Sequence, residues 1–363
     1  MAPYSAGSRA HLEERLAGIL LGTAVGDSLG LPREGLPRQR ARRLFGGRPL
    51  RHRFLFGRGM MSDDSEQACM VGQALLASRG EPGAFARSLA WRLRWWLLGL
   101  PAGIGKATLR AICRLWIGFP PGKSGVHSAG NGAAMRAPVL GAIAAGDDNA
   151  MARLVEASTR LTHADGRAYE GALAVAVACG YAVSRAPDAI DADELFGILG
   201  ERISDEELTQ ALGRARSSLA AGAIPEAFAA ELGLSSGVSA YVVHTVAVSI
   251  FCWLRHRADF RRAVEEAIAL GGDADTVGAI TGALAGATLG ASAIPREWLA
   301  GVIEWPRSVG WMRRLAARLA AFSSDRAAPV RPLRLFWPAL IVRNLIFLAA
   351  VLIHGFRRLL PPY

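Results

Sequence analysis

Glycine recurs every fourth residue in two separate stretches, at 18, 22, 26 and 30 and again at 278, 282, 286 and 290. The second set is accompanied by Ala279, Ala283, Ala287 and Ala291. A spacing of four places these residues on one ridge of an α-helix. A ridge without side chains lets another backbone come close. Each glycine costs about 1 kcal/mol against alanine inside a helix, so so many of them require a packing reason. The pattern predicts two central helices in tight contact, either with each other or with other backbone.

The rest of the chain carries helical periodicity almost throughout. Further helices are expected at 64–79, 82–98, 105–116, 150–161, 167–185, 192–200, 205–221, 238–256 and 259–269, with loops at 31–60 and 117–131. Strands and helices do not alternate. The expected fold class is therefore all-α, with one domain over 12–322 and a linker at 323–332. The apolar run LAGILLGTAVG resembles part of a signal peptide, but Glu13 and Glu14 precede it, and it reads as a helix of the mature fold. Cys69, Cys113, Cys179 and Cys252 lie far apart in apolar segments, which points to reduced core residues of a cytoplasmic protein and not to a zinc or disulfide set.

The formal charge is +11, and almost all of the positive charge is arginine. Such an excess reflects arginine-biased composition or a phosphate-bearing partner. No zinc finger, RNP motif or basic-aromatic stripe supports nucleic acid. Residues 333–363 form an apolar and basic tail in which Leu335 to Ile353 has about the length of a membrane span. Arg343, Asn344, His354, Arg357 and Arg358 fall on one side of a helical wheel. That predicts an amphipathic helix on an anionic membrane surface, arginines toward the headgroups. The alternative is a helix docked on the domain or on a second subunit.

Two acidic clusters precede predicted helices: Ser62-Asp63-Asp64-Ser65 and Asp273-Ala274-Asp275-Thr276. Helix capping explains one or two such residues in each. It does not require adjacent like charges, which repel unless something positive sits between them. Hard oxygen donors at this density suit Mg²⁺, Mn²⁺ or Ca²⁺. On the residues alone, paired caps and a metal site both stay open. An EF-hand starting at Asp273 fails at Val277 and Leu284. GFPPGKS (118–124) is one residue short of a P-loop, GNGAAM (130–135) lacks the third glycine of a dinucleotide fingerprint, and there is no GxSxG elbow.

Five motifs, taken in order, resemble the ADP-ribosylglycohydrolases, which include the dinitrogenase reductase-activating glycohydrolases. They are GILLGTAVGDSLGLPREG (18–35), MSDDSE (61–66), SAGNGAAMRAPVLG (128–141), LTHADGRAYEGALA (161–174) and GGDADTVGAITGALAGA (271–287). The resemblance implies an orthogonal all-α bundle with two metal ions, Mg²⁺ or alternatively Mn²⁺. The implied ligands are Ser62, Asp63, Asp64, Asp273, Asp275 and Thr276. Glu34 matches the loop glutamate that approaches the metals, and Glu34, Asp63 or Asp64 would supply the catalytic base. Gly130, Asn131 and Gly132, with Met135 and Arg136, would line the ADP-ribose cleft, joined by His163, for which a core or capping role is the alternative. Asp27 would orient a neighbouring group or simply end its helix. Family members often carry Thr where Ser62 and Ser65 stand; the oxygen donor is kept. The implied reaction removes ADP-ribose from a modified protein or small molecule, arginine-linked as first expectation. A catalytically silent ADP-ribose-binding module, and an interaction protein acting through its C-terminal tail at a membrane, are the alternatives.

Overall fold

The computed structural model describes residues 6–326 and 328–361. Residue 327 of the expected linker and residues 362 and 363 of the expected tail lie outside the described residues. The chain runs through α1 (Ala6–Gly30), α2 (Arg38–Phe45), α3 (Asp63–Ser78), α4 (Pro82–Leu98) and α5 (Lys106–Trp116). There follow α6 (Pro138–Ile143), α7 (Asp148–Arg160), α8 (Gly166–Val183), α9 (Ala192–Arg202), α10 (Glu206–Ala220), α11 (Pro225–Glu231), α12 (Val242–Arg255) and α13 (Phe260–Ala269). The last are α14 (Ala274–Leu289), α15 (Arg296–Gly301), α16 (Val309–Ser324) and α17 (Trp337–Arg357). Among the described residues the only sheet is an antiparallel pair, β1 (Leu36–Pro37) with β2 (Gly271–Gly272). The fold is all-α with an added apolar C-terminal helix.

The period-four glycines do what the sequence demands, and they do it to each other. A methyl placed on Gly18, Gly22 or Gly26 would run into the backbone of Gly286, Gly282 or Gly278 respectively. The pairing order makes α1 and α14 antiparallel. Gly22→Ala would force a methyl onto the Gly282 carbonyl, with no flexible side chain to yield. α8, α12 and α13 pack on the other sides of α14, which is buried from Ala274 to Thr288. A helix apolar all round is a central one. The antiparallel arrangement also puts the C-terminal end of α1 beside the N-terminal end of α14, where the aspartates are.

Two expectations need correction. The segment 31–60 is not wholly loop. RQRARRLF forms α2, and its polar sequence hides the signal because Ala41 and Phe45, four residues apart, are its only buried side chains. Cys113 is exposed on α5, whereas Cys69, Cys179 and Cys252 are buried. The short run Lys106–Trp116 buries Thr108, Ala111, Ile112 and Leu115, which leaves position 113 on the opposite face.

Of the alternatives for the tail, the structure shows the helix docked on the domain. The chain ahead of α17 is strapped to α3: the Gln73 amide donates to the Leu333 carbonyl at 2.9 Å and its oxygen accepts from the Leu333 N–H at 2.8 Å. The polar stripe of α17 then turns inward, opposite to the expected orientation. The Arg343 guanidinium bonds both oxygens of Glu304 at 2.7 and 2.8 Å and also the Met61 carbonyl. Asn344 donates to the Gly99 carbonyl at 2.7 Å. His354 meets the Phe54 carbonyl at 2.7 Å and stacks on its ring. Arg358 donates to the Pro32 carbonyl at 3.2 Å. The domain surface around Met61, Gly99, Phe54 and Pro32 offers carbonyls and a carboxylate, and these satisfy donors that bilayer headgroups would otherwise have to meet. Arg357 remains exposed.

Candidate metal centre and active site

Three chain segments meet at the α1/α14 end. α14 contributes Asp273 at its N-cap position and Asp275 in its first turn. α3 begins next to it, with Ser62 as N-cap, accepting from the Asp64 N–H at 3.3 Å, and with Asp63 and Asp64 in its first turn. Beyond the end of α1, the turn after Leu31–Arg33 brings in Glu34. Two helix N-termini therefore point at one spot, and their dipoles favour negative charge there.

The loops are held by backbone pairing. Leu36 and Pro37 pair with Gly272 and Gly271, Gly35 N–H donates to the Gly272 carbonyl at 2.7 Å, and Asp273 N–H donates to the Val238 carbonyl at 2.7 Å. Gly271 and Gly272 both take positive φ, at 73° and 75°. A Cβ at Gly272 would strike Val238. Glycine is required here because the turn and the close approach coincide.

Five of the six residues expected as ligands are joined by hydrogen bonds or short oxygen separations, while Asp63, in the same first turn of α3, accepts from the Gln67 amide at 3.2 Å. Ligand oxygens of Glu34, Asp273 and Asp275 all lie within 4.8 Å of one another. Thr276 Oγ1 donates to Asp64 Oδ2 at 3.3 Å, and Ser62 Oγ donates to the same oxygen at 3.1 Å. Burial pushes the carboxyls of Asp63, Asp64 and Asp275 well above their ordinary range, and neighbouring carboxylates add to it. Asp64 feels Asp27, Asp63 and Asp273; Asp275 feels Glu34, Asp273, Asp64 and Asp27. Asp64 Oδ1 is buried without any hydrogen-bond partner. An orphaned carboxylate oxygen among mutually repelling carboxylates, with serine and threonine hydroxyls alongside, has the chemistry of a hard divalent cation site.

Asp27 is the hidden organiser. It is fully buried in α1 and accepts from the Ser62 N–H at 2.9 and 3.1 Å, from the Ser65 N–H at 3.2 Å and from Ser65 Oγ at 2.5 Å. It thus fixes the first turn of α3. Burial raises its carboxyl to about 7, against the lowering effect of those hydrogen bonds. Of the two sequence alternatives for Asp27, orienting a neighbouring group is the one the geometry carries.

The Gly130–Gly132 loop reaches the site through Asn131. Its side chain donates to Asp273 and, at 2.9 Å, to Thr245 Oγ1. Its N–H donates to the Ala240 carbonyl at 3.1 Å. Asn131 thus orients a candidate ligand. Met135 and Arg136 depart from the expectation that they line the cleft: both are buried beneath the loop. Arg136 spends its donors on Gln67 Oε1 at 2.6 Å, Ser158 Oγ at 3.0 Å, and the Ser158 carbonyl and Thr162 Oγ1 at 2.7 Å. It ties α3 to α7 and, fully buried, does not reach the surface where a substrate would sit. His163 lies under the same loop; a Cβ on Gly132 would come within 3.0 Å of its Cε1. Burial and Arg136 push its pKa down to about 3, so it is neutral, with Nδ1 at 2.8 Å from Thr162 Oγ1. Its place fits the core alternative.

One contributor was invisible in the sequence motifs. Arg358, at the end of α17, sits near enough to Glu34 and Asp275 for its charge to act on both. Glu34 lies at the solvent edge; burial and then Asp273 raise its carboxyl, while Arg358 pulls it down.

With this geometry in view, similarity to known proteins has a physical meaning. The sequence model of the ADP-ribosylglycohydrolase family matches residues 8–328. The chain belongs to the ADP-ribosylglycohydrolase family. It is similar to a protein of Archaeoglobus fulgidus, 31% identical over 80% of this chain and 92% of that one. It is similar to the ADP-ribosyl-[dinitrogen reductase] glycohydrolase of Rhodospirillum rubrum, 28% identical over 79% of this chain and 90% of that one. The ADP-ribosylarginine hydrolase Tri1 of Pseudomonas putida is 27% identical over 87% of this chain and 80% of its own. A solved ADP-ribosylglycohydrolase-related protein complex superposes with a TM-score of 0.63 at 28% identity, over 86% of this chain and 99% of that one. Family and relatives indicate ADP-ribosyl glycohydrolase activity, that is, a hydrolase. As an ADP-ribosylglycohydrolase, the protein carries an addition: α17 lies wholly beyond the matched residues.

Proposed function

We propose that the protein cleaves the glycosidic bond between ADP-ribose and a modified acceptor in the cytoplasm, using two Mg²⁺ ions, or Mn²⁺, held by Ser62, Asp63, Asp64, Asp273, Asp275 and Thr276. The observation that carries this reading is the buried carboxylate cluster with no cation of its own at its centre and an orphaned oxygen on Asp64. Arginine-linked ADP-ribose is the first acceptor to test, because the Pseudomonas putida relative is named for that linkage. When bound, the divalent cations supply Lewis-acid charge beside the ribose.

The chain's own residues do the rest. Glu34, at the solvent edge and beside the cluster, accepts a proton from the attacking water, and the positive charge of Arg358 helps keep it ionised for that task. The aspartates lend negative charge to a ribose that gains oxocarbenium character as the acceptor leaves. Asp27 and Asn131 hold Ser62 and Asp273 in place, so that little reorganisation is needed at the moment of reaction. Gly130 and Gly132 let the Asn131 loop lie close over His163.

The test is release of ADP-ribose from arginine-, serine- and threonine-linked substrates with and without Mg²⁺. Metal-dependent release from one linkage supports the reading and names the acceptor chemistry. ADP-ribose binding without release from any of them points instead to a silent binding module.

A further inference from the structure

α17 has two faces of opposite character, and only one is used within the chain. Arg343, Asn344, His354 and Arg358 are all turned toward the domain. Val342, Leu345, Ile346, Leu352, Ile353 and Phe356 are turned to solvent, with Ile353 65% and Phe356 69% exposed. The exposed surface continues onto α4, where Trp91 packs on Trp95 and Trp95 packs on Trp337 of the tail. Trp337 also donates to the Trp95 carbonyl at 3.1 Å, which joins the two elements into one surface. An apolar face of this extent on a soluble domain marks a docking site.

The charge around this face selects the occupant. Residues 329–361 contain no Asp or Glu, and the exposed charges at the two ends of the face are Arg331, Arg334 and Arg357. A second copy packed on the same face about a two-fold axis would set arginine against arginine, with no carboxylate in the tail to pair them. An anionic lipid surface offers both things the face lacks: hydrocarbon for the leucines, isoleucines and tryptophans, and negative headgroups for the arginines. Crossing the bilayer does not fit, although the helix is long and apolar enough by length and composition. Arg343 and Asn344, near its middle, are fixed to the domain. Lying flat, the 21-residue helix presents about 30 Å of contact.

We propose that the outer face of α17, together with Trp91 and Trp95, seats the protein on the surface of an anionic lipid bilayer. This stands independently of the hydrolase reading. It reverses the arrangement expected from the helical wheel: the polar stripe anchors the helix to the protein and the apolar stripe enters the membrane interface.

The test is flotation of the full chain with phosphatidylcholine vesicles with or without phosphatidylglycerol, at low and high salt, beside light scattering without lipid. The full chain should float with the anionic vesicles and much less with neutral ones. The variant Leu345→Glu/Ile353→Glu/Phe356→Glu should bind anionic vesicles at least ~10-fold more weakly, because three apolar contacts become charges that the headgroups repel. Its melting temperature and its activity on a soluble substrate should be unchanged, since those side chains touch neither the core nor the site. A full chain that stays in the soluble fraction with anionic vesicles overturns the proposal. So does equal flotation with neutral vesicles, undiminished flotation of the variant, or a dimer that the variant converts to monomer.

Discussion

Two of the places where this protein buries charge are built on opposite rules. At the seam between the domain and α17, Arg343 is enclosed by both oxygens of Glu304, and close by Arg307 pairs with Glu66, which also accepts from the Trp96 indole at 2.7 Å. Every charge there meets its opposite within the chain. At the α1/α14 end, Asp27, Asp63, Asp64, Asp273, Asp275 and Glu34 crowd together, and Arg358 approaches from the rim. The first cluster is complete and therefore structural. The second is incomplete: it has no matching positive charge at its centre, so its cost falls only through protonation of the carboxyls or through a bound cation.

The largest effect should come from altering the incomplete cluster. Asp275→Asn should lower kcat/KM for ADP-ribose release by at least ~100-fold. In metal-free buffer at pH 8 the same change should raise the melting temperature, because it removes one uncompensated buried charge. Full activity in this variant would end the assignment of Asp275 as a ligand.

The complete cluster should respond in the opposite sense. Arg343→Met leaves Glu304 buried and unpaired, and should cost about 3–5 kcal/mol in urea unfolding, whereas Arg343→Met/Glu304→Leu should recover most of the loss. A double variant no more stable than the single would show that the seam depends on something other than charge pairing.

Asn131→Ala should weaken metal binding ~10- to 100-fold in a calorimetric titration while leaving the melting temperature of the metal-free protein nearly unchanged, since the residue orients Asp273.

The incomplete cluster also sets a pH dependence. The Asp27 carboxyl is raised from an ordinary value of 3.8 to about 7. For an acid shifted in this direction, the stabilisation is fully present below the unfolded value and is lost as pH rises through about 7. With a chelator present, the melting temperature should therefore fall between pH 5 and pH 8, and saturating Mg²⁺ should flatten that fall. A metal-free protein that gains stability over this interval would contradict the raised carboxyls.

The smallest effect is at the point where the two regions meet. Arg358 draws the Glu34 carboxyl downward, so Arg358→Ala should shift the acid limb of the kcat/KM profile to higher pH and leave the plateau within about 10-fold.

The difference between the regions also explains what could be read from the sequence. The central helix pair was legible because glycine at every fourth position has few causes other than close backbone approach, and the partner of each ridge was the other ridge. The acidic cluster was legible because adjacent carboxylates before a helix exceed what capping needs. The tail was legible only as a pattern. A helical wheel groups Arg343, Asn344, His354 and Arg358 on one face, but which surface they meet depends on the carbonyls of Phe54, Gly99 and Pro32, which are distant in sequence. Arg136 misled for the same reason: its place in the motif that the family resemblance assigns to the cleft suggests a cleft-lining residue until Gln67, Ser158 and Thr162 are seen around it. The role of Asp27 was legible only in part, since a buried acid at a helix end and an orienting acid look alike until the α3 N-terminus is placed on it.

The most direct measurement is calorimetric titration of Mg²⁺ and Mn²⁺ into metal-free protein at pH 8, with Asp275→Asn alongside. Saturable binding by the wild-type chain, lost or reduced in the variant and matched by metal-dependent release of ADP-ribose, is the expected result. No binding by the wild type, together with hydrolysis undiminished by a chelator, would mean that the acidic cluster is completed by something other than a metal ion.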